Sequence, residues 1–137
     1  MIVADTGAIL ALLDSGDRHH AAVRELYEDR PDQWLLPWAI LPEVDYLVGS
    51  ELGSRAQEAF LTDVAEGSFA VEYGKYEDVV RAHAIGRKYR ALSLGLVDAV
   101  VIATAERLRA DAIATLDLRH FGAVRIAGSP RLLPRDA

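Results

Sequence analysis

The stretch Ile2-Val3-Ala4-Asp5-Thr6-Gly7 decides the predicted fold of this 137-residue chain. It reads as a short buried strand that ends at an acid and is followed by a turn. The apolar residues Ala8–Leu13 then indicate a short buried helix. Further along the chain, short apolar runs keep alternating with longer segments of helical periodicity. This alternation predicts an α/β fold.

Five apolar runs are predicted to form strands, and six longer segments are predicted to form helices. The strands are predicted at Ile2–Ala4, Trp34–Leu36, Phe69–Val71, Ala112–Thr115 and Val124–Ile126. The helices are predicted at Ala8–Leu13, Arg18–Glu28, Ile40–Ser50, Ser54–Glu66, Tyr76–Tyr89 and Leu96–Arg109. Such an order favours a central, mainly parallel sheet that is covered on both faces. Ligands of these sheets bind beyond the carboxyl ends of the strands, where the strand order reverses.

Length and composition predict a single domain over residues 1–137, because a chain this short and 51% hydrophobic supports one core. The sequence has no cysteine, which excludes disulfides and thiolate zinc sites and fits a reducing compartment. It shows no signal peptide and no apolar run long enough to cross a membrane, so we expect a cytoplasmic protein. The net charge of −6 argues only weakly against binding of nucleic acid, since acids that hold cations contribute to it.

Four acids lie at the edges of apolar segments that are expected to enter the core: Asp5, Glu43, Asp98 and Asp117. Carboxylates in such places are destabilising unless a partner neutralises them, and a divalent cation neutralises several at once. Asp5 and Asp117 both follow predicted strands, so they are expected at the same edge of a parallel sheet. Together the four acids indicate a metal-dependent site.

Each acid also has an ordinary structural interpretation. Asp5 is a favoured N-cap for the helix that follows it, and Asp117 fits a turn after its strand. Glu43 and Asp45 flank the same apolar helix face about equally, so the pattern does not choose between them. Asp98 is harder to explain as a bare cap, because it shares its helix face with an apolar stripe.

Four segments of the chain resemble a PIN domain, and within that family a VapC-type ribonuclease toxin. They are residues 2–7 (IVADTG), 42–47 (PEVDYL), 96–99 (LVDA) and 115–121 (TLDLRHF). They occur in the family's order over nearly the whole chain. The resemblance implies a three-layer α/β/α fold with a central five-stranded sheet. It also implies that the four acids are the metal ligands, with Glu43 chosen over Asp45, and that Thr6 and Thr115 assist through their hydroxyl groups.

The function that this resemblance implies is a metal-dependent endoribonuclease that leaves 5′-phosphate and 3′-hydroxyl ends. Hard carboxylate oxygens suit Mg²⁺ or Mn²⁺, which activate water and accept phosphate oxygens as further ligands. The resemblance further implies a homodimer, and a cognate VapB-type antitoxin whose C-terminal segment crosses the active-site groove. An apolar surface for that partner is predicted around Val44, Leu47, Val48 and Leu52, although core residues show the same periodicity.

Basic and aromatic residues give weaker signals. The natural contacts for RNA phosphates are Arg55, Arg87, Lys88, Arg90 and Arg119. His120 adjoins Asp117 and is expected either to meet substrate phosphate or to pack beside Phe121. Trp34 and Trp38 are predicted to lie in the core.

Two other functional classes are compatible with parts of this pattern. A noncatalytic PIN-fold binding module would keep the fold without turnover. A receiver-type signalling domain also gathers acids and Mg²⁺ at strand ends, but it needs a lysine after its last strands. The two lysines, Lys75 and Lys88, both precede Asp98 and Asp117. Dinucleotide-binding and P-loop folds are excluded because the chain lacks a glycine-rich phosphate loop.

Overall fold

Five short parallel strands form one sheet in the computed structural model, which covers residues 1–137. The strands are β1 (Ile2–Ala4), β2 (Trp34–Pro37), β3 (Ala70–Glu72), β4 (Ala112–Ala114) and β5 (Arg131–Leu133). Their order across the sheet is β3-β2-β1-β4-β5, and every neighbouring pair is parallel. The predicted α/β fold with a five-stranded sheet is therefore confirmed, and the sheet is parallel throughout.

Seven helices connect the strands and cover the sheet. They are α1 (Thr6–Leu13), α2 (His20–Asp29), α3 (Leu41–Leu52), α4 (Ser54–Ala65), α5 (Tyr76–Lys88), α6 (Leu96–Leu108) and α7 (Leu118–Phe121). Helices α1 to α4 pack in sequence through α1–α2, α1–α3 and α3–α4 contacts, while α6 packs against α5, α7, β1 and β2. All three residues of β1 are buried, and so are those of β4. Since successive strand residues face opposite sides, helices must cover both faces of the sheet.

The fifth strand lies at Arg131–Leu133, and the prediction of a strand at Val124–Ile126 is wrong. Val124 and Ile126 are buried, as their apolar character indicates, but they enter the core from a loop. The Arg125 amide donates to the Tyr89 hydroxyl and the Ala127 amide donates to the Glu106 carboxylate. With these amides bound to side chains, the loop has no need of a neighbouring strand.

Burial and local geometry bear on three further expectations. Trp34 is buried, but Trp38 is half exposed and stacks on Tyr73 with 5.2 Å between ring centroids. Val44 and Val48 are fully buried and are not open to a partner, whereas Leu47 and Leu52 are half-buried. The segment after Asp117, for which a turn was the ordinary alternative, forms the short helix α7. None of the helices is both long and apolar enough to cross a membrane.

A buried ion pair joins α5 to α6. Asp78 is buried in the first turn of α5, and both of its carboxylate oxygens accept hydrogen bonds from the Arg107 guanidinium, at 2.8 and 3.1 Å. Arg107 also donates to Glu72 at the end of β3. This guanidinium therefore ties two helices and an edge strand together.

Replacing Arg107 with methionine leaves the Asp78 carboxylate buried without a cation. We expect Arg107→Met to lower the free energy of unfolding by about 3 kcal/mol, because an uncompensated buried charge is costly. The matched control is Arg24→Met, which removes an exposed pair with Glu28 within α2 and is expected to lower it by less than about 0.5 kcal/mol. Urea denaturation of both variants measures the difference, and equal small losses would contradict the prediction.

Candidate active site

The acids converge at the carboxyl edge of the sheet, where the strand order reverses. The chain moves from β1 to β2 on one side, while β4 lies on the other side of β1. Asp5 directly follows β1, and its backbone amide donates to the carbonyl of Ala114, the last residue of β4. This bond extends the ladder by one residue and sets Asp5 beside Thr115. The site therefore occupies the place that sheet topology predicts for a ligand.

Asp5 is buried and held by two hydrogen bonds. Its Oδ1 accepts from the Thr6 amide at 2.8 Å, so Asp5 is indeed the N-cap of α1. Its Oδ2 accepts from the Thr115 hydroxyl at 3.0 Å. Burial, followed by the charge of Asp98, raises the pKa of Asp5 to about 7 in spite of these bonds. The N-cap interpretation of Asp5 is therefore confirmed, and it leaves the carboxylate among the other acids.

Asp98 and Glu43 lie in the first turns of α6 and α3. Asp98 is half-buried, and burial together with the charges of Asp117 and Glu43 raises its pKa. Glu43 is exposed in the first turn of α3. Asp45 faces α4 instead, where its Oδ1 accepts a hydrogen bond from Gln57 at 3.0 Å. This contact accounts for the Asp45 carboxylate, while Glu43 as the site residue of α3 stays a prediction.

Asp117 is in contact with His120, for which the sequence left open a contact with substrate phosphate or packing beside Phe121. The Asp117 carboxylate caps α7 by accepting from the His120 amide, and its Oδ2 lies 2.8 Å from His120 Nδ1. The same Nδ1 lies 3.3 Å from Oδ2 of Asp98. The hydrogen bond to Asp117 is the main cause of a raised pKa of His120. The sequence did carry one sign of this contact, since residues three positions apart on a helix are neighbours.

Two threonine hydroxyls complete the polar surroundings of Asp5. Thr115 Oγ1 donates to Asp5 and accepts from the Asp117 amide at 3.0 Å, so it connects two of the acids. Thr6 Oγ1 is buried and has no hydrogen-bond partner. A buried hydroxyl without a partner is unusual, and here it lies next to the acids.

Comparison with known proteins agrees with this architecture. Residues 2–126 match the PIN domain family. The chain is a PIN domain. Ribonuclease VapC26 of Mycobacterium tuberculosis is 34% identical over 130 residues, which are 95% of this chain and 96% of that protein. This PIN domain therefore belongs to the VapC group.

Solved structures show the same fold at lower sequence identity. VapC20 of Mycobacterium tuberculosis, described as a toxin that cleaves the sarcin-ricin loop, superimposes with a TM-score of 0.82 at 21% identity over 95% of this chain and 99% of that one. VapBC of Salmonella typhimurium bound to DNA gives a TM-score of 0.71 at 19% identity over 96% and 95% of the two chains. Both similarities show that this PIN domain shares its fold with these proteins.

The donor set of this PIN domain fits a hard divalent cation. Oxygen predominates among the donor atoms, and carboxylate oxygens are the ligands that Mg²⁺ and Mn²⁺ favour. One donor atom each from Asp98, Asp117 and His120 lie within 4.8 Å of one another. The unpartnered Thr6 hydroxyl and the unusually high pKa of Asp5 are further signs that this arrangement suits a cation.

Two of the basic residues predicted to contact RNA flank this cluster. Arg119 lies in α7, two positions after Asp117. Arg90 begins the short turn that ends at Leu92, whose carbonyl is hydrogen-bonded to His120. Both arginine side chains are exposed.

The other three basic residues lie further away along the chain. Arg87 and Lys88 form the exposed last turn of α5, just before the Arg90 turn. Arg55 lies at the start of α4, which follows the C-terminal end of α3. Glu43 lies near the N-terminal end of α3, and the nine residues between Glu43 and Leu52 span roughly 14 Å of helix. Arg55 therefore lies at the opposite end of α3 from Glu43.

The raised pKa of Asp5 makes the stability of this PIN domain depend on pH in the presence of a chelator. Folding raises this pKa from 3.8 to about 7, so the contribution of Asp5 is fully present below pH 3.8 and is lost as the pH rises to about 7. Asp5→Asn does not titrate and should gain stability relative to wild type over this range, by at most about 4 kcal/mol. Urea denaturation at several pH values measures the difference, and a difference independent of pH would contradict the prediction.

Proposed function

We propose that this protein is a Mg²⁺- or Mn²⁺-dependent endoribonuclease of the VapC type. It hydrolyses RNA phosphodiester bonds and leaves 5′-phosphate and 3′-hydroxyl ends. The observation that carries the proposal is the convergence of Asp5, Glu43, Asp98 and Asp117, from four separate segments, at the switch point of the sheet. The ribonuclease name of the 34% identical VapC26 supports the choice of substrate.

The four acids differ in depth, and their proposed tasks follow from that depth. Buried Asp5, oriented by Thr6 and Thr115, forms the floor of the site. Half-buried Asp98 and Asp117 complete the ligand set above it, and either of them is placed to orient a water molecule. Exposed Glu43 forms the rim. A bound divalent cation supplies an activated water and neutralises charge on the phosphate and the leaving 3′ oxygen.

The carboxylates of the site repel the phosphates of RNA, so basic residues are needed nearby to bind the substrate. Arg119 and Arg90 border the site, and we assign them to phosphates on either side of the cut bond. Arg87 and Lys88 extend this basic surface along the end of α5. Single-stranded RNA suits an open edge of a sheet, because its backbone reaches the acids without a deep groove.

The strand order separates this proposal from the signalling alternative. Receiver domains have the order 2-1-3-4-5, whereas this sheet has the order 3-2-1-4-5. The noncatalytic module remains the alternative within the PIN family, and only turnover distinguishes it from the nuclease.

Cleavage of bacterial RNA by the purified protein tests the proposal. With Mn²⁺ or Mg²⁺ we expect discrete fragments that carry 5′-phosphates, and we expect chelator to abolish them. Glu43→Gln should lower the rate by about 100-fold or more, the effect of removing one electrostatic stabiliser of a transition state. Asp45→Asn is the matched control, because it changes an acid two positions away that faces α4, and its rate should stay near that of wild type.

Three outcomes would count against the nuclease. Cleavage that survives chelator and Asp5→Asn would indicate a contaminant or different chemistry. A Glu43→Gln variant that cleaves as fast as Asp45→Asn and wild type would contradict the proposed metal ligand set. A folded protein that binds Mn²⁺ but cleaves no RNA would support the binding module.

A cognate VapB-type antitoxin is the proposed partner. Toxin–antitoxin complexes of Salmonella typhimurium, Klebsiella pneumoniae and Rickettsia felis share the fold, with TM-scores of 0.71, 0.68 and 0.70. Four carboxylates at one open edge suit a basic side chain from such a partner. We place its C-terminal segment across this edge.

We also propose that the protein forms a homodimer through an aromatic patch beside the site. The patch consists of the exposed residues Trp38, Tyr73, Tyr76, Val79 and Leu96. An exposed apolar surface of this kind is typical of an interface, and the dimer that the family resemblance implies supplies the occupant.

Mass measurement in solution tests the dimer. Val79→Arg places a charge in the aromatic patch and should convert a dimer into a monomer, because a buried unpaired charge opposes association. Leu61→Arg, at another exposed apolar position on α4, is the control and should leave the dimer intact. Light scattering after gel filtration distinguishes the two masses. A wild-type monomer, or a dimer that survives Val79→Arg, would refute the assignment.

A further inference from the structure

His120 has both ring nitrogens in fixed contacts, and they differ in kind. Nε2 lies 2.9 Å from the carbonyl oxygen of Leu92, and Nδ1 lies 2.8 Å from a carboxylate oxygen of Asp117. A carbonyl oxygen only accepts hydrogen bonds, so Nε2 must carry a proton and donate it. Nδ1 faces the acids and, without a cation, donates its proton to Asp117; a cation bound in the place of that proton would accept the Nδ1 lone pair. Histidines that bind metals commonly have this arrangement, in which the second nitrogen donates to a carbonyl group.

The separations around Nδ1 match those between neighbouring ligands of one small cation. In an octahedral site with bonds of about 2.1 Å, adjacent donor atoms lie about 3 Å apart. Nδ1 lies 2.8 Å from Oδ2 of Asp117 and 3.3 Å from Oδ2 of Asp98. These three atoms are therefore spaced like one face of such a site.

We propose that His120 is a direct nitrogen ligand of the catalytic cation through Nδ1, alongside Asp98 and Asp117. This inference rests on the proposed metal dependence and adds a donor that the four acids do not provide. An imidazole nitrogen binds Mn²⁺ better than it binds Mg²⁺, which prefers oxygen and retains its waters. The histidine therefore makes the site select Mn²⁺ over Mg²⁺.

The alternative role for His120 is to position Asp117 by a hydrogen bond without touching the cation. The two roles differ in what the cation experiences. A positioning residue affects Mn²⁺ and Mg²⁺ alike, because both ions use the same Asp117 oxygen. A nitrogen ligand affects Mn²⁺ more and leaves a magnetic signature on it.

Electron spin echo spectroscopy of the wild-type protein loaded with Mn²⁺ alone is the decisive measurement. A directly bound imidazole gives modulation from ¹⁴N, and we expect this modulation in wild type and its loss in His120→Gln. The glutamine amide reaches the position of Nε2 and can still donate to the Leu92 carbonyl, but it has no atom in the place of Nδ1. A wild-type spectrum without ¹⁴N modulation would overturn the inference, whether or not the variant folds.

Calorimetric titration of the same proteins with Mn²⁺ and with Mg²⁺ supplies the second measurement. His120→Gln should weaken Mn²⁺ binding by about tenfold or more and Mg²⁺ binding by less than about threefold. Equal losses for both ions would assign His120 to positioning and overturn the inference.

Asp98→Asn separates this inference from the proposed function. If wild type binds neither ion, or if Asp98→Asn binds both ions as well as wild type does, the metal site itself is wrong. Binding that depends on Asp98 but shows no ¹⁴N modulation refutes only the role of His120.

Discussion

The buried carboxylate of Asp5 is the constraint on which the rest of the site depends. A titratable group at the end of the central strand is destabilising, and the chain compensates with hydrogen bonds from the Thr6 amide and the Thr115 hydroxyl. The bond from Thr115 exists because β1 and β4 are neighbours in the sheet. The hydrogen bond that holds the Asp5 carboxylate therefore depends on the order of the strands. Any other neighbour for β1 would leave Asp5 without its partner across the sheet.

The sequence predicted the central part of the fold well because local signals determine it. The runs that became β1 and β4 are apolar at every position, and such strands are typical of parallel sheets. The fifth strand was misplaced because Val124 and Ile126 are as apolar as strand residues. What distinguishes them is the bonding of the intervening backbone to distant Tyr89 and Glu106 side chains. A local pattern holds no information about such partners.

The same distinction applies to the site. The four acids were predicted because each interrupts an apolar segment, which is visible in the sequence. The two contacts of His120 were not predicted because one of them is with the Leu92 carbonyl, 28 positions away, and the other with Asp117 nearby. The choice of Glu43 over Asp45 needed either the family pattern or the contact between Asp45 and Gln57. Residue type reveals candidates, and packing assigns their roles.

The hydrogen bond between Asp5 and Thr115 joins residues 110 positions apart, and this separation affects when the protein becomes active. During synthesis, β1 emerges early but pairs with β4 only after β2, β3 and most of the helices have been made. Closing a loop of that length carries an entropic penalty that is offset only by the completed sheet. A growing chain therefore has no assembled site. The candidate site is therefore confined to the chain in which β4 has been made and has paired with β1.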